Sequence, residues 1–536
     1  MTAGLQTREA KAMPAAAPSA PEYFHLPWPI EQKEFLIGGN LISWNGPMET
    51  VSSPFCPHPL GSVPRLDRDT AFQALEAAKA SWREGTGGWA LASVGQRVAA
   101  LETFWHRLRE IQEKLARFIL WEIGKSWEDA KSEVKRTLVY LERTIATLKD
   151  LDREASRLIV EEGHLGQIRR MPLGIALCMG PYNYPLNETF TTLVPAIAMG
   201  NSVIMKPPRL GMLLYSLLLP IFRDCFPPGV VNVVYGDGEE VVSPLLATGD
   251  IDALAFIGSS KVADMLKKQH PRPHRLHASL GLEAKNPAIV LPSANLETAV
   301  KECLKGALSF NGQRCTAIKM IFVHESLAEA FLSRLAKAVD ELHLGMPWEE
   351  GVSVTPLPEE KRVAYLEGLM QDALARGAKI ANRRAGRQEG TLFAPAVLYP
   401  VGDDTRLFHE EQFGPLIPVA SFREVGQAIE HVVHSPYGQQ ASIFGEDPAE
   451  VGEVGDWLAN QVCRINLNTQ CQRSPDHWPF NGRKDSAEGT LSVYDALRVF
   501  SIRTIVAAND DPGNKALVSK ILQGRASRIL STDFIL

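Results

Sequence analysis

Long apolar runs, a strong net charge and closely spaced cysteine pairs are all missing from this chain. Its most apolar stretch, residues 171–205, is interrupted by Pro and Gly every few residues. It therefore cannot form the unbroken helix of about 20 apolar residues that spans a membrane. The formal net charge of -6 gives no reason to expect nucleic acid or an anionic membrane as a partner.

Cysteine is sparse, with seven residues, no CxxC motif and no regular spacing. Such a set favours a reducing compartment over a disulfide framework. Residues 1–25 are rich in Ala and Pro and contain charged residues, with no continuous apolar core of the kind a secretory signal needs. We expect a disordered tail at 1–25 and a globular protein of the cytoplasm.

The length of 536 residues predicts two or three domains. From about 68 to 150, apolar residues recur at helical spacing, as in 94–108 and 134–145. After that, short apolar runs alternate with helix-compatible segments: GIALCMG (174–180), SVIMK (202–206), VVNVVYG (230–236) and ALAFIG (253–258). Continuous apolar strands alternating with helices indicate a parallel sheet that is covered on both faces.

A second strand series predicts another α/β domain: NPAIVL (286–291), KMIFV (319–323), LIPVASF (416–422), ASIFG (441–445) and CRINLN (463–468). Two further segments, 158–170 and 497–507, have alternating patterns and charge. We interpret them as an arm that pairs between subunits, with ordinary edge strands as the alternative. The predicted organisation is a discontinuous dinucleotide-binding domain (26–157 and 172–280), a catalytic domain (281–488), an oligomerisation arm (158–171 and 489–510) and a C-terminal tail (511–536).

Cys315 lies in SFNGQRCTA (309–317), after a Gly-Gln-Arg turn and before an apolar strand. A thiol becomes nucleophilic where nearby positive charge lowers its pKa, and Arg314 is its neighbour in sequence. The alternative is that Cys315 is a small buried apolar residue.

Asn183 lies in GPYNYPLN (180–187), at the carboxyl end of a predicted strand, where doubly wound sheets bind ligands. A side-chain amide held in such a stiff turn suits an oxyanion hole. Taken alone, an Asn in a Pro-containing loop is usually a turn residue.

These segments, together with VIMKPP (203–208), FIGSS (256–260) and EEQFGP (410–415), resemble the aldehyde dehydrogenase superfamily from about residue 30 to 508. The likeness is strongest to the non-phosphorylating, NADP-dependent glyceraldehyde-3-phosphate dehydrogenases, through NTQCQRSPDHWPFNG (468–482). The resemblance implies an α/β fold with two Rossmann-like parallel-sheet domains and a small β oligomerisation arm. It also implies a homodimer or homotetramer. Cys315 would attack the aldehyde, its own N–H and Asn183 would hold the alkoxide, and water would hydrolyse the resulting thioester.

The cofactor implied by the resemblance is NADP. Lys206 is similar in position to the lysine that contacts the adenosine ribose. Arg209 stands where many NAD-preferring members have a glutamate, so the two cations would attract a 2′-phosphate. The alternative is that Arg209 only faces solvent. Further cofactor contacts are expected at Gly236, Gly238, Gly258, Ser259, Glu411 and Phe413.

A phosphorylated aldehyde carries two negative charges, and guanidinium groups match phosphate geometry. Arg314 and Arg473 lie in segments expected at the mouth of the active site, and Arg136 lies off the apolar face of its helix. Members that act on phosphorylated aldehydes hold the phosphate with arginines at matching places and with the tyrosine that corresponds to Tyr184. Each arginine taken alone is more often a solvated surface residue.

One motif departs from the family pattern. The usual Glu-Leu-Gly-Gly-Lys carries the base for thioester hydrolysis, but here Gly281 occupies the Glu position and a glutamate follows at Glu283. Glu283 is our first prediction for the base. The alternatives are another carboxylate such as Glu411, or deacylation without a strong base, with slow turnover or acyl transfer to a thiol such as coenzyme A.

Histidines occur in HPRPHRLH (270–277) and at His431 and His434, but neither group has an obvious third ligand, so no metal site is predicted. Three functions compete: oxidation of a phosphorylated aldehyde, oxidation of another aldehyde or semialdehyde, and non-catalytic dinucleotide binding on a degenerate scaffold.

Overall fold

The computed structural model describes residues 20–534, which contain two large sheets, each covered by helices. The strands are β1 (Ile30–Glu31), β2 (Glu34–Ile37), β3 (Asn40–Ser43), β4 (Met48–Ser53), β5 (Cys56–Pro64), β6 (Ile159–Glu161), β7 (His164–Pro172), β8 (Ile175–Met179), β9 (Ser202–Lys206), β10 (Val231–Val233), β11 (Ala253–Ile257), β12 (His277–Gly281), β13 (Asn286–Val290), β14 (Ile318–His324), β15 (Lys379–Ile380), β16 (Gln388–Glu389), β17 (Leu392–Phe393), β18 (Ala396–Tyr399), β19 (Leu416–Phe422), β20 (Tyr437–Gly438), β21 (Gln440–Phe444), β22 (Arg464–Leu467), β23 (Arg483–Lys484), β24 (Ala487–Glu488) and β25 (Ser501–Asn509).

The helices are α1 (Arg68–Trp82), α2 (Val94–Glu110), α3 (Gln112–Ile123), α4 (Trp127–Glu154), α5 (Asn187–Ala198), α6 (Leu219–Cys225), α7 (Gly238–Val241), α8 (Ser243–Thr248), α9 (Ser260–Gln269), α10 (Leu296–Leu308), α11 (Glu325–Asp340), α12 (Glu360–Ala375), α13 (Arg406–His409), α14 (Gly426–His434), α15 (Pro448–Leu458), α16 (Val493–Val499) and α17 (Pro512–Gln523).

The first sheet has the order β24-β12-β11-β8-β9-β10-β2-β3, and the five strands from β12 to β10 are parallel. All five residues of β8 are buried, as expected of a parallel strand covered on both faces. From β8 the chain adds β9 and β10 on one side and then β11 and β12 on the other. The crevice between the carboxyl ends of β8 and β11 is therefore a topological switch point, where such sheets bind ligands.

The second sheet has the order β15-β18-β19-β14-β13-β21-β22, and all of its strands except β15 run parallel to their neighbours. Each predicted apolar run of the two series coincides with a strand, which confirms the prediction of two parallel-sheet domains. The predicted helical segments 94–108 and 134–145 lie within α2 and α4, and Ser93 closes a capping box at the start of α2.

The two segments predicted as an arm pair with each other. Strand β25 is antiparallel to β7, which also pairs with β6. The strand expected over 497–507 begins only at Ser501, because 493–499 form α16, whose Leu497 is fully buried. Exposed Ile159, Val160 and Ile505 lie on this sheet. Pairing of the arm between subunits stays a prediction.

The structure places several boundaries differently from the sequence prediction. Part of the predicted N-terminal tail, residues 20–25, is packed, with Phe24 buried and its carbonyl accepting a hydrogen bond from Trp121; residues 1–19 lie outside the described part. The predicted C-terminal tail contains α17, and Asp533 accepts a hydrogen bond from the Gly95 N–H. Strand β24, assigned by sequence to the catalytic domain, pairs with β12 of the first sheet.

Candidate active site

A cavity of about 1070 Å³ lies where the two sheets face each other. The first sheet contributes the loops that follow β8 and β11, at its carboxyl edge. The second contributes the segments that precede β13, β14, β19 and β21, at its amino edge. Most of the predicted site residues line this cavity: Arg136, Asn183, Tyr184, Arg209, Gly258, Ser259, Glu283, Arg314, Cys315, Glu411, Phe413 and Arg473. Lys206, Gly236 and Gly238 do not.

The turn before Cys315 has an unusual backbone. Phe310, Asn311 and Gly312 have φ values of 48°, 55° and 71°, in the left-handed region that non-glycine residues seldom adopt. Reciprocal hydrogen bonds between Asn311 and Thr355 hold this turn. The chain therefore reverses sharply between α10 and β14 and brings Cys315 to the edge of the cavity.

Hydrogen bonds fix the backbone of Cys315. Its carbonyl oxygen accepts hydrogen bonds from the Asn286 amide, at 2.7 Å, and from Lys319 Nζ, at 3.0 Å. Within residues 20–534, its own N–H donates no hydrogen bond. The N–H is thus free to donate a hydrogen bond to a ligand in the cavity.

The protein groups around Cys315 on balance disfavour its thiolate. Burial raises the pKa of the thiol and the negative charge of Glu188 raises it further, while Lys319 and Arg473 oppose this. The prediction that Arg314 activates the thiol was wrong in its physical reason, because the Arg314 guanidinium turns to the Gly306 carbonyl. The cations that act on the sulfur come from the adjacent strand and from the loop after β22.

Asn183 is positioned from two sides. Its amide donates one hydrogen to the Gln313 carbonyl at 2.7 Å, two residues before Cys315, and its second amide hydrogen has no partner among the described residues. On the other side, the buried Glu133 carboxylate accepts the N–H groups of Leu186 and Asn187 and pairs with Lys125. The loop that carries Asn183 is thereby tied both to α4 and to the nucleophile turn.

The two carboxylates considered as bases from the sequence are both engaged. Glu283 accepts the N–H and the hydroxyl of Ser260, at 2.9 and 2.7 Å, at the start of α9. Glu411 accepts Lys319 Nζ at 2.6 Å and the Ala284 N–H at 3.0 Å. Gly281, at the end of β12, lines the cavity without a side chain.

The three predicted substrate arginines differ in their partners. Arg136 forms a two-pronged pair with Asp476, and the buried Arg473 pairs with Glu188 and donates to the Leu491 carbonyl. Arg314 has no carboxylate partner among the described residues. Tyr184 lies beside them with Lys125 Nζ 3.4 Å from the centre of its ring, and burial raises the pKa of its hydroxyl, which keeps it a donor.

The cofactor candidates fall into two groups. Gly258, Ser259 and Arg209 line the cavity, and the exposed Arg209 pairs with Glu359 at 2.6 Å. Lys206 ends β9 outside the cavity lining; burial lowers its pKa, while Glu49 and Asp237 raise it.

Glycine is required at Gly236 but not at Gly238. Gly236 has a φ of 118°, and a Cβ there would lie 3.0 Å from the Leu66 carbonyl oxygen. Gly238 has open space around it, with nothing within 4 Å of an added Cβ. At Gly236 the backbone conformation therefore excludes a side chain.

Sequence reasoning missed two cavity-side residues, Lys319 and Glu188. Lys319 is a single cation in the buried strand β14, and its side chain is 1% exposed; a charge within an apolar run was the available signal. Glu188 begins the apolar helix α5 and is 7% exposed. Its sequence context suggested only an ordinary first-turn acid.

Metal-binding and membrane-spanning features are missing from the described part of the chain. Within residues 20–534 there is no group of three His, Cys, Asp or Glu side chains that is arranged to hold a metal. His431 instead packs between Phe322 and Phe408. In the same residues, no helix combines the length and apolar character needed to cross a membrane.

The family model of the aldehyde dehydrogenase family matches residues 44–506. The chain belongs to the aldehyde dehydrogenase family. It is 31% identical over 453 residues to the NADP-dependent glyceraldehyde-3-phosphate dehydrogenase of Streptococcus equinus, covering 83% of this chain and 92% of that protein. It is 29% identical over 488 residues to malonate-semialdehyde dehydrogenase 1 of Geobacillus kaustophilus, covering 89% and 97%.

Among solved structures, the crystal structure of the NADP-dependent glyceraldehyde-3-phosphate dehydrogenase from Bacillus halodurans C-125 complexed with NADP superposes with a TM-score of 0.83. It has 29% sequence identity, and the match covers 89% of this chain and 99% of that one. This likeness confirms the predicted aldehyde dehydrogenase fold.

Proposed function

We propose that this aldehyde dehydrogenase oxidises D-glyceraldehyde 3-phosphate to 3-phosphoglycerate with NADP, through a thioester on Cys315 and without inorganic phosphate. The carrying observation is that three arginines and Tyr184 line the same cavity as the thiol, and that Arg314 has no carboxylate partner within residues 20–534. A dianionic substrate group is what such a set of donors attracts. The similarity to glyceraldehyde-3-phosphate dehydrogenases of S. equinus and B. halodurans supports the same substrate.

In the first half-reaction, residues around Cys315 stabilise the negative charge that develops on the aldehyde oxygen. Attack by the Cys315 thiolate on the aldehyde carbon moves negative charge to the aldehyde oxygen. The unpaired Cys315 N–H and the second amide hydrogen of Asn183 stabilise that oxygen, because both donors are fixed before the reaction begins. NADP, if bound here, would supply the hydride acceptor for this oxidation.

The residues around the switch point fit a dinucleotide with a 2′-phosphate. The carboxyl end of β11 bears Gly258 and Ser259, and Ser259 caps α9. The positive charge of Arg209 lowers the pKa of Lys206, so the two cations lie near each other. Two cations at this edge of the sheet would hold the 2′-phosphate, which supports NADP over NAD.

A semialdehyde with a single carboxylate is the second candidate. Asp476 and Glu188 already neutralise Arg136 and Arg473, which lowers the positive charge available to a dianion. The similarity to malonate-semialdehyde dehydrogenase 1 points in the same direction.

Steady-state NADPH formation separates these functions. We expect turnover with D-glyceraldehyde 3-phosphate in a buffer free of phosphate, with kcat/KM well above that for unphosphorylated glyceraldehyde. An Arg314→Ala variant should lower kcat/KM for the phosphorylated substrate only. Equal loss for both aldehydes, or activity with semialdehydes alone, would select the second candidate. Cofactor binding without turnover on any aldehyde would contradict the enzymatic function.

A further inference from the structure

A buried lysine lies at the joint between α3 and α4. Lys125 follows Gly124, which ends α3 with a φ of 75°, and precedes Ser126, which caps α4. Its side chain is 1% exposed and pairs with the equally buried Glu133, with 2.6 Å between Nζ and Oε2. Burying two charges costs free energy that their mutual attraction often fails to recover. The pair is therefore poorly explained by stability alone, and its contacts indicate a role in geometry.

Glu133 holds the far end of the loop that carries Asn183. Its Oε1 accepts the N–H groups of Leu186 and Asn187, at 3.0 and 3.1 Å. These N–H groups lie at the start of α5, where a helix offers them no internal acceptor. The Lys125 ammonium balances the charge of the Glu133 carboxylate, which would otherwise be buried alone.

The Lys125 ammonium also contacts two aromatic rings, one from each half of the predicted oxyanion hole. Its Nζ is 3.4 Å from the ring centre of Tyr184 and 4.4 Å from that of Phe310. The two rings meet edge to face, with their centres 6.0 Å apart. Tyr184 directly follows Asn183, and Phe310 lies in the left-handed turn that leads to Cys315. A desolvated cation is attracted to an aromatic face more strongly than an exposed one, so Lys125 binds both segments at once.

Lys125 acts from outside the cavity, since it is not among the residues that line it. It does not contact an aldehyde bound there, and any effect on the reaction passes through the residues that it holds. Two hydrogen bonds to Gln313 also join the loop and the turn, from the Asn183 amide at 2.7 Å and from the Tyr182 hydroxyl at 3.2 Å. Lys125 adds a charged contact between the same two segments.

We propose that Lys125 is a positioning residue for the oxyanion hole. It fixes the Asn183 loop against the nucleophile turn, so that the Asn183 amide and the Cys315 N–H converge on one oxygen. Donors fixed in advance stabilise developing charge without reorganising during the reaction, whereas a displacement of about 1 Å can cost about 10²-fold in rate. The inference rests on the proposed function only for the attack of Cys315 on an aldehyde.

The Lys125→Met variant tests the proposal, because methionine keeps an unbranched side chain and removes the charge. We expect the NADPH burst with saturating D-glyceraldehyde 3-phosphate to slow by about 10- to 100-fold. Alkylation of Cys315 by iodoacetamide needs the thiolate but no oxyanion donor, so its rate should stay as in the wild type. A merely structural role would slow alkylation and burst equally. That outcome, or a burst at the wild-type rate, would overturn the proposal.

A double-mutant cycle with Asn183→Ala shows whether Lys125 acts through the Asn183 amide. In the Asn183→Ala background, Lys125→Met should slow the burst little further, because the donor that Lys125 positions is already gone. The same fold loss in both backgrounds would overturn the proposal.

If Lys125→Met does not fold because Glu133 is left buried and unpaired, the double variant Lys125→Met/Glu133→Gln removes both charges. It retains an amide oxygen that can accept the Leu186 and Asn187 N–H groups. We expect the same slow burst and unchanged alkylation, and a burst at the wild-type rate would overturn the proposal.

Lys131→Met is the matched control. Lys131 is an exposed lysine of α4 that pairs with Glu128 and lies 5.3 Å from the ring centre of Trp127. Its loss should change neither the burst nor the alkylation rate, and a loss equal to that of Lys125→Met would overturn the assignment to Lys125. Failure of the proposed function is distinguishable, since the wild-type protein would then show no NADPH burst with any aldehyde.

Discussion

The nucleophile turn at 309–317 and the strand end at 281–285 border the same cavity, yet they follow the family pattern to very different degrees. Around Cys315 the motif is intact and the backbone is fixed by Asn286, Lys319 and a left-handed turn. At 281–285 the expected glutamate is absent and Glu283 binds Ser260. The difference arises because an oxyanion hole needs backbone atoms in one geometry, whereas a base needs only a carboxylate within reach of water.

The largest effect is expected at the nucleophile turn, where the motif is intact. Cys315→Ser should abolish the NADPH burst, because a serine hydroxyl ionises far less readily than a thiol. Rapid-mixing kinetics measure the burst. Cys463→Ser, at a half-buried cysteine outside the cavity, is the matched control, and a normal burst in Cys315→Ser would remove this thiol from the mechanism.

Asn183→Ala should have the second largest effect. Loss of one oxyanion donor costs about 10²–10³-fold, and here it should appear in the burst rate, since the alkoxide forms before hydride transfer. The affinity for NADP, measured by fluorescence titration, should not change. Asn514→Ala, in α17, is the control. A burst rate within about threefold of wild type would mean that other donors hold the oxyanion.

A carboxylate can be restored at position 281, where the strand end departs from the family pattern. Gly281→Glu should raise the steady rate by about 10-fold or more, because it returns a carboxylate to the end of β12. A Cβ there lies 3.3 Å from Leu491 Cδ1 and 3.4 Å from Ile257 Cγ1, so those side chains must shift slightly. Gly281→Gln has the same shape without the charge. Equal rates in the two variants would show that position 281 no longer faces the thioester.

Lys319 links the two regions, since it contacts both the Cys315 carbonyl and Glu411, which in turn accepts the Ala284 N–H. Lys319 lowers the pKa of the Cys315 thiol, so Lys319→Met should raise that pKa. The burst rate at neutral pH should then fall, by about tenfold where the thiol pKa rises by about one, and it should recover as the pH rises and the thiol ionises. Lys319→Arg is the control with the charge retained. An unaltered pH profile of the burst would exclude Lys319 from thiol activation.

The smallest effect is expected at Arg209, at the edge of the first sheet where we propose that the cofactor binds. Arg209→Glu should lower kcat/KM for NADP about tenfold and change that for NAD little, because only NADP carries the 2′-phosphate. Glu359→Gln, which releases Arg209 from its partner, should raise kcat/KM for NADP modestly. Parallel changes for both cofactors would show that Arg209 does not contact the 2′-phosphate.

Local pattern predicted the strands well, since buried parallel strands form continuous apolar runs that stand out between helices, as at 175–179 and 286–290. Local pattern was less successful where tertiary packing determines the secondary structure. Leu497 looked like the start of an extended strand, but its burial on the helices draws 493–499 into α16. The packed residues 20–25 and 530–534 carry too little apolar sequence to be distinguished from tails.

The sequence by itself determined the family, the two-sheet fold and most of the residues that line the cavity, because motif order and strand periodicity are properties of the chain read along its length. Only the tertiary structure decided which charged side chains form ion pairs with each other. Arg473 and Glu188 pair across 285 residues of chain, as Arg136 and Asp476 do across 340. A side chain's charge can be read from its letter, but its partner and its burial depend on packing between distant segments.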